Sequence, residues 1–485
     1  MGLEARGVAD LAGDRAALVA QDVAEHDLCA LRHQAPRDRS ARAARRSGHD
    51  RHSALERAHR FIPSTGRGPY LPALRSARRG RGSLGPLVIP FIDTLDPAYD
   101  EDIHAAHAAA REKSWYAETP TGLLVLRYRD VQAVLRDPRW RELGRDALRL
   151  AGIADGPLWE WFGQIMSTQE GAAHARLRRL VSQAFTPRSV ERLRPVMRRT
   201  AHELLDRFVD AGRCELVGAF AAPYPVRVIG ALLGVPAGDF EQFHAWSSDL
   251  SLAFGSQVTA WRSRIEAALT SLSGYVDELL ALRRRRAEDD LISSLIAAEE
   301  RGDRLSPEEL RAMVTVLIFG GQDTTQCQIA CAIATFLRHP EAWRRLARDP
   351  GLAADATEEV LRYESAGSGS PRIAGEDFRY RELDVKAGIV ALPSSPAANR
   401  DPEVYPEPDR FDIDRRHAEP QLAFGGGVHY CLGASLARAE LQEALPILAR
   451  RLPDLASDGP AEWRHGSLIR GPERLPIAFS PGIRT

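Results

Sequence analysis

The sequence predicts a mainly α fold with small β-sheets, on three observations. Stretches with apolar residues at i, i+3, i+4 and i+7 recur up to about residue 338. One of them, "LSPEELRAMVTVLIFGGQDTTQCQIACAIATFLRHP", reads as a single long helix. After residue 370 short apolar runs and Pro-rich turns take over, as in "SPRIAGEDFRYRELDVKAGIVALP".

Composition bounds the class. A chain of 485 residues with 44% hydrophobic and 27% charged residues is of the soluble globular kind. A net charge of −1 gives no global attraction to nucleic acid or to an acidic membrane surface. No apolar run approaches the roughly 20 residues that span a bilayer. Five cysteines, an odd and sparse set, fit a reducing cytosol rather than a disulfide framework. The expectation is a cytoplasmic protein with no nucleic-acid or membrane partner.

Residues 1–87 differ from the rest of the chain. Stretches such as "RDRSARAARRSGHDRH" are rich in Arg, Ala, Gly and His and are read as a disordered N-terminal extension; the domain is placed at 88–485. Within it, "GLLVLRYRDVQAVLRDP" reads as a short strand, a turn and a short helix. "VERLRPVMRRTAHELLDRFVD" and "RIEAALTSLSGYVDELLALRRRR" read as amphipathic helices.

The long helix is bounded by strong signals. Ser306 caps it, Pro307 suits its first turn, Glu309 completes a capping box and Pro340 ends it. At 1.5 Å per residue it runs about 48 Å. Its centre, Gly320-Gly321-Gln322-Asp323-Thr324-Thr325, is costly. Each glycine loses about 1 kcal/mol against alanine, a buried acid needs a partner, and Thr324 can back-bond to a carbonyl. A helix crossing accounts for glycines but not for an acid beside a hydroxyl, which reads as a proton relay facing a bound ligand. Cys327 and Cys331, four apart, lack further ligands nearby and read as small buried hydrophobes.

Other constellations are weaker alone. Glu359 and Arg362 share a helix face at i, i+3, and Arg410 in "YPEPDRFD" supplies a second cation able to close a buried network with Glu359. His174 and Arg178 lie at i, i+4, two donors suited to a carboxylate or phosphate; Arg372 is another candidate donor. In "FGGGVHYCLGASLARAE", glycines precede a lone cysteine at the mouth of a helix, where a thiolate is favoured. The glycine run lacks the Lys-Ser/Thr of a phosphate loop and the third glycine of a dinucleotide fingerprint, and no Cys-x-x-Cys-His, zinc spacing or HExxH is present.

With these motifs the chain resembles the soluble bacterial cytochromes P-450, haem-thiolate monooxygenases. Phe424, Gly427, His429, Cys431 and Gly433 match the family's Phe-x-x-Gly-x-His/Arg-x-Cys-x-Gly signature. Glu359 and Arg362 match its Glu-x-x-Arg, Arg410 the arginine completing that triad, and Gly321, Asp323 and Thr324 its oxygen-activation motif. The resemblance implies haem b between the long helix and the cysteine loop, with Cys431 as axial thiolate. It implies Phe424 shielding the sulfur, Gly433 in the loop, and His174, Arg178, Arg372 and His429 on the propionates. Asp323 and Thr324 are implied to deliver protons. Gly320, where relatives usually carry alanine, and the small, polar segment "SAGSGS" are expected to widen the pocket over the iron, and Gly320 and Gly321 are placed in the substrate pocket. The implied reaction inserts one atom of O2 into a hydrophobic small molecule (a secondary metabolite, terpenoid, steroid or fatty-acid-like compound). Electrons would come from NAD(P)H through ferredoxin reductase and ferredoxin to a monomer. Oxidative coupling or desaturation on the same scaffold, and a non-catalytic haem-binding protein, are the competing readings.

Overall fold

The structure is a computed structural model that describes residues 89–182, 185–300 and 305–481, without the side chains of 298–300. The extension expected over 1–87 lies outside them. The described residues belong to one compact unit, Arg67–Thr485.

The elements that frame the site alternate between a small sheet and a large helical body. After α1 (Ile103–Arg111) come β1 (Tyr116–Thr119), β2 (Gly122–Val125), α2 (Tyr128–Arg136) and β3 (Trp140–Glu142). The helical body comprises α3 (Gly171–Ser182), α4 (Pro187–Leu205), α5 (Pro223–Leu233), α6 (Phe240–Ser251), α7 (Arg262–Arg285), α8 (Leu291–Glu300), α9 (Pro307–Arg338) and α10 (Ala353–Tyr363). Then β4 (Arg372–Ala374), β5 (Val390–Pro393), α11 (Ala434–Arg451), β6 (Glu462–Trp463) and β7 (Pro472–Arg474) complete the frame. The main sheet has the order β1-β2-β5-β4-β3. β1 and β2 form an antiparallel hairpin, β2 runs parallel to β5, and β4 pairs antiparallel with both β5 and β3.

Local chemistry explains the central helix. Ser306 accepts from the Glu309 N–H at 3.1 Å and the Glu309 carboxylate accepts from the Ser306 N–H at 2.9 Å, the expected reciprocal box. Leu310, Ile318, Ile329 and Ile333 of α9 are at most 1% exposed, so the helix threads the main core. A second core, with Trp115, Tyr128, Val131 and Trp140, fills the sheet side. Cys327 and Cys331 are buried, as expected of small hydrophobes. No helix among the described residues is long and apolar enough to cross a membrane.

A fully buried ion pair fixes the chain that leads to the cysteine loop. Arg362 donates to both Glu359 carboxylate oxygens at 2.8 Å, and neither side chain is exposed. The guanidinium spends its remaining donors on the carbonyls of Asn399, Pro408 and Arg410. The expectation for the third member needs correction. The Arg410 side chain is 61% exposed and pairs with Glu407 and Asp412; only its carbonyl joins the network. Arg415, five residues on, reaches Glu359 at 3.3 Å and donates to the Arg410 carbonyl at 2.8 Å. The Pro-rich loop turns between them, so the later arginine faces inward.

Removing one partner of a buried pair strands the other charge. Glu359→Ala is expected to cost about 3–5 kcal/mol, while Arg410→Ala stays within about 0.5 kcal/mol. Arg415→Ala falls between, near the 1.5–3 kcal/mol of a charged hydrogen bond, at about 2 kcal/mol. Urea titrations of the three variants check the order; equal losses at 410 and 415 would contradict it.

Candidate active site

The cysteine loop is shaped by its backbone. The Cys431 N–H donates to the Phe424 carbonyl at 3.0 Å, closing the loop just ahead of α11. Gly427 has φ +65°, and a Cβ there would lie 2.3 Å from the Leu135 carbonyl oxygen at the end of α2. Only glycine allows that approach. Cys431 is a free, surface-accessible thiol, yet protein packs densely behind it. That packing pushes the thiol pKa up, against the Gly433 N–H and the Arg178 and Arg438 cations, which pull it down. Arg438 lies 4.6 Å over the Phe424 ring and is itself held by Glu358.

The middle of α9 is accessible only in part. Gly320 is exposed and Thr324 half-buried within a helix otherwise mostly buried, and at i, i+4 they share a face. Thr324 Oγ1 donates to the Gly320 carbonyl at 2.7 Å, the back-bond anticipated from sequence. A Cβ on Gly320 would meet nothing within 4 Å, whereas one on Gly321 would lie 2.8 Å from Ile229 Cδ1 of α5. Gly321 is therefore a helix-crossing glycine, which corrects its assignment to the pocket; Gly320 alone offers room. Asp323 is 2% exposed and Arg464 of the β6–β7 hairpin grips both its oxygens at 2.8 and 3.0 Å. Next to it, Gln322 hydrogen-bonds His244 of α6, and Thr325 donates toward Glu440 of α11 at 3.5 Å. Glu440 is almost fully buried, which pushes its carboxyl well above the usual range.

The predicted donors also come together. His174 of α3 packs against His429 with ring centroids 4.2 Å apart and the rings tilted by 36°. Burial first, then the His429 and Arg178 charges, push His174 down to about 4. Arg372 is 2% exposed in β4. Two acids that sequence reading did not single out join this cluster: Glu142 pairs with Arg372, and Glu170 lies 3.4 Å from His429 Nε2. Arg464 and Glu440 were missed too. Glu440 carried a signal, an acid inside the apolar pattern of α11; Arg464 and Glu142 carried none, since each meets its partner only through the fold.

A family model described as Cytochrome P-450 matches residues 251–349 and 352–452. The chain is 35% identical over 393 residues to luteothin monooxygenase of Streptomyces thioluteus, covering 81% of this chain and 96% of that one. It is 40% identical over 399 residues to nocardicin C N-oxygenase of Nocardia uniformis subsp. tsuyamanensis, covering 80% and 97%. The crystal structure of CalO2 superposes with a TM-score of 0.77 at 33% identity, covering 81% of this chain and all of that one. The chain belongs to the cytochrome P-450 family. It is a monooxygenase of that family, with haem b as cofactor and the family's fold, in which haem lies between the long helix and the cysteine loop. The residues present fit haem: an accessible thiol backed by an N–H, an open glycine on α9 and a cluster of arginines and histidines.

The two glycines of α9 are expected to respond in opposite directions. Gly320→Ala should stabilise the helix by about 1 kcal/mol; Gly321→Ala should overpack against Ile229 and destabilise by about 1–3 kcal/mol. Melting temperatures of the two variants check this, and a stabilising Gly321→Ala would remove the crossing role.

Proposed function

We propose that this monooxygenase inserts one atom of O2 into a hydrophobic small molecule, with electrons from NAD(P)H passing through ferredoxin reductase and ferredoxin. The proposal places it in the cytoplasm as a monomer. The observation that carries it is the accessible Gly320–Thr324 face of α9 beside a buried acid. A protein that only stores haem or binds a gas has no use for an acid and a hydroxyl at the weakest turn of its central helix. The names of the relatives, a monooxygenase and an N-oxygenase, support the same class.

Haem ligated by a thiolate supplies electron density that favours O–O cleavage. Cys431 is the proposed ligand, its sulfur oriented by the Gly433 N–H, with Phe424 packed at the loop and Arg178, Arg372, His174 and His429 as propionate donors. Thr324 gives its own proton to the Gly320 carbonyl, so its oxygen lone pairs are free to accept a hydrogen bond on the open side. It would thereby hold a water in line. Asp323 has both oxygens engaged by Arg464. In this arrangement the carboxylate orients the polar end of the site; passing a proton toward Thr324 requires a rotamer that leaves Arg464, an exchange the β6–β7 hairpin controls.

Two measurements test this. Cys431→His is expected to lose the strongly red-shifted Soret band that a thiolate gives the ferrous–CO complex; a retained band would remove Cys431 from the iron. Thr324→Ala is expected to bind substrate and consume NAD(P)H normally but to release peroxide in place of product, and Asp323→Asn to slow turnover. The readout is the ratio of product to reduced cofactor consumed, with peroxide counted alongside. Unchanged coupling in both variants would return the pair to a packing role.

A further inference from the structure

Glu142 and Glu170 take no part in the reaction proposed above, yet both sit inside the cluster of cations. Glu142 arrives there through backbone register. In β3 it is the direct Cα partner of Arg372 in β4, so opposite charges face each other across an antiparallel pair. Arg372 donates to Glu142 Oε1, and Ser370, just ahead of β4, donates to the two carboxylate oxygens at 3.1 and 3.2 Å. From the cysteine loop, His429 Nδ1 lies 3.8 Å from the same carboxylate. Glu170, at the start of α3, accepts from the Glu142 N–H at 2.5 Å and approaches His429 Nε2. Beyond His429 stand His174 and Arg178 of α3.

The charges do not balance once two propionates are added. Arg178 and Arg372 are permanently cationic, and before propionates enter, burial and the His429 and Arg178 charges hold His174 down to about 4. Two glutamates already offset the two arginines. With two propionates in place four carboxylates share two arginines, so the demand for protons falls on the histidines and on the carboxylates themselves. Carboxylates crowded into one desolvated site resolve this by keeping a proton.

We propose that, with haem bound, Glu142 and a haem propionate share one proton taken from solvent, so that Glu142 is a positioning residue that clamps the haem edge through its hydrogen bond. Geometry selects Glu142 over Glu170: its side chain is 10% exposed against 39%. Burial pushes the Glu142 carboxyl up, only partly opposed by Arg372 and His429. For Glu170 burial also pushes up, but hydrogen bonds from His429 and the Glu142 N–H prevail and hold it below its ordinary value. A carboxyl that gains affinity for its proton on haem loading holds haem best at low pH, and that hold is lost as pH rises through the raised value. This rests on haem as the cofactor and not on the reaction or its proton relay.

The test uses the full haem-loaded chain. Haem loss to excess apomyoglobin is timed at about pH 6 and about pH 9 for wild type, Glu142→Gln and Glu170→Gln. The wild-type rate is expected to rise roughly tenfold for each unit by which loading shifts the shared proton. Glu142→Gln should lose that rise and Glu170→Gln should keep it. In parallel, H2O–D2O difference infrared spectra near neutral pH should contain a protonated-carboxyl C=O stretch in wild type that is missing from Glu142→Gln. Any band from Glu440 is common to both and cancels. If Glu142→Gln does not load haem, Glu142→Ser, which presents a hydroxyl as Ser370 does, replaces it in both measurements. Equal pH slopes in wild type and variant, or no difference in the carboxyl band, would overturn the proposal.

Discussion

The cysteine side of the site hangs from one buried carboxylate. Glu359 and Arg362 neutralise each other inside the core, and the guanidinium has donors left over. Those donors fix three carbonyls of the succeeding loop, at Asn399, Pro408 and Arg410. Asn399 carries the constraint onward: its side chain donates to the Leu361 carbonyl and accepts from the Leu422 N–H, two residues before Phe424. A buried ion pair is weak support for stability as such. Here its value is positional, because each hydrogen bond from the arginine specifies where a stretch of irregular backbone lies.

The same device recurs across the site. Asp323 is held by Arg464, Glu142 by Arg372 and Glu358 by Arg438, each an acid met by a guanidinium rather than an ammonium. With 63 arginines against Lys113 and Lys386, the chain has almost no other cation to use. The consequence is chemical as well as compositional. A planar fork fixes the carboxylate plane, whereas an ammonium fixes only a distance. Asp323 and Glu358 are therefore preset in orientation, and moving either means breaking two hydrogen bonds together.

Legibility in the sequence followed the range of the interaction. The helix Pro307–Arg338 was readable from its cap to its terminating proline because every signal lies within a few residues. The cysteine loop was readable for the same reason, its glycines and thiol lying side by side. The buried pair Glu359–Arg362 was visible at i, i+3, but its third partner was not. Arg410 and Arg415 share one Pro-rich loop, and which of them turns inward is decided by distant carbonyl acceptors. Gly321 looked like pocket until Ile229 was found against it. Glu142 left no trace in its own neighbourhood, since its meaning comes from pairing with Arg372 across 230 positions.

That long-range pairing also sets when the protein can fold. β1 and β2 can form their hairpin early, but β2 finds its parallel neighbour only when Val125 meets Pro393. At ribosomal rates of about 5–20 residues per second, the interval is on the order of tens of seconds. Until then the nascent chain exposes a strand edge rich in Leu and Val, the kind of surface on which other chains template. β3 likewise waits for β4, so the strand pair that carries Glu142 and Arg372 closes late. Haem capture is thus a late event in biogenesis, and the early hairpin is the segment most in need of protection while the rest is made.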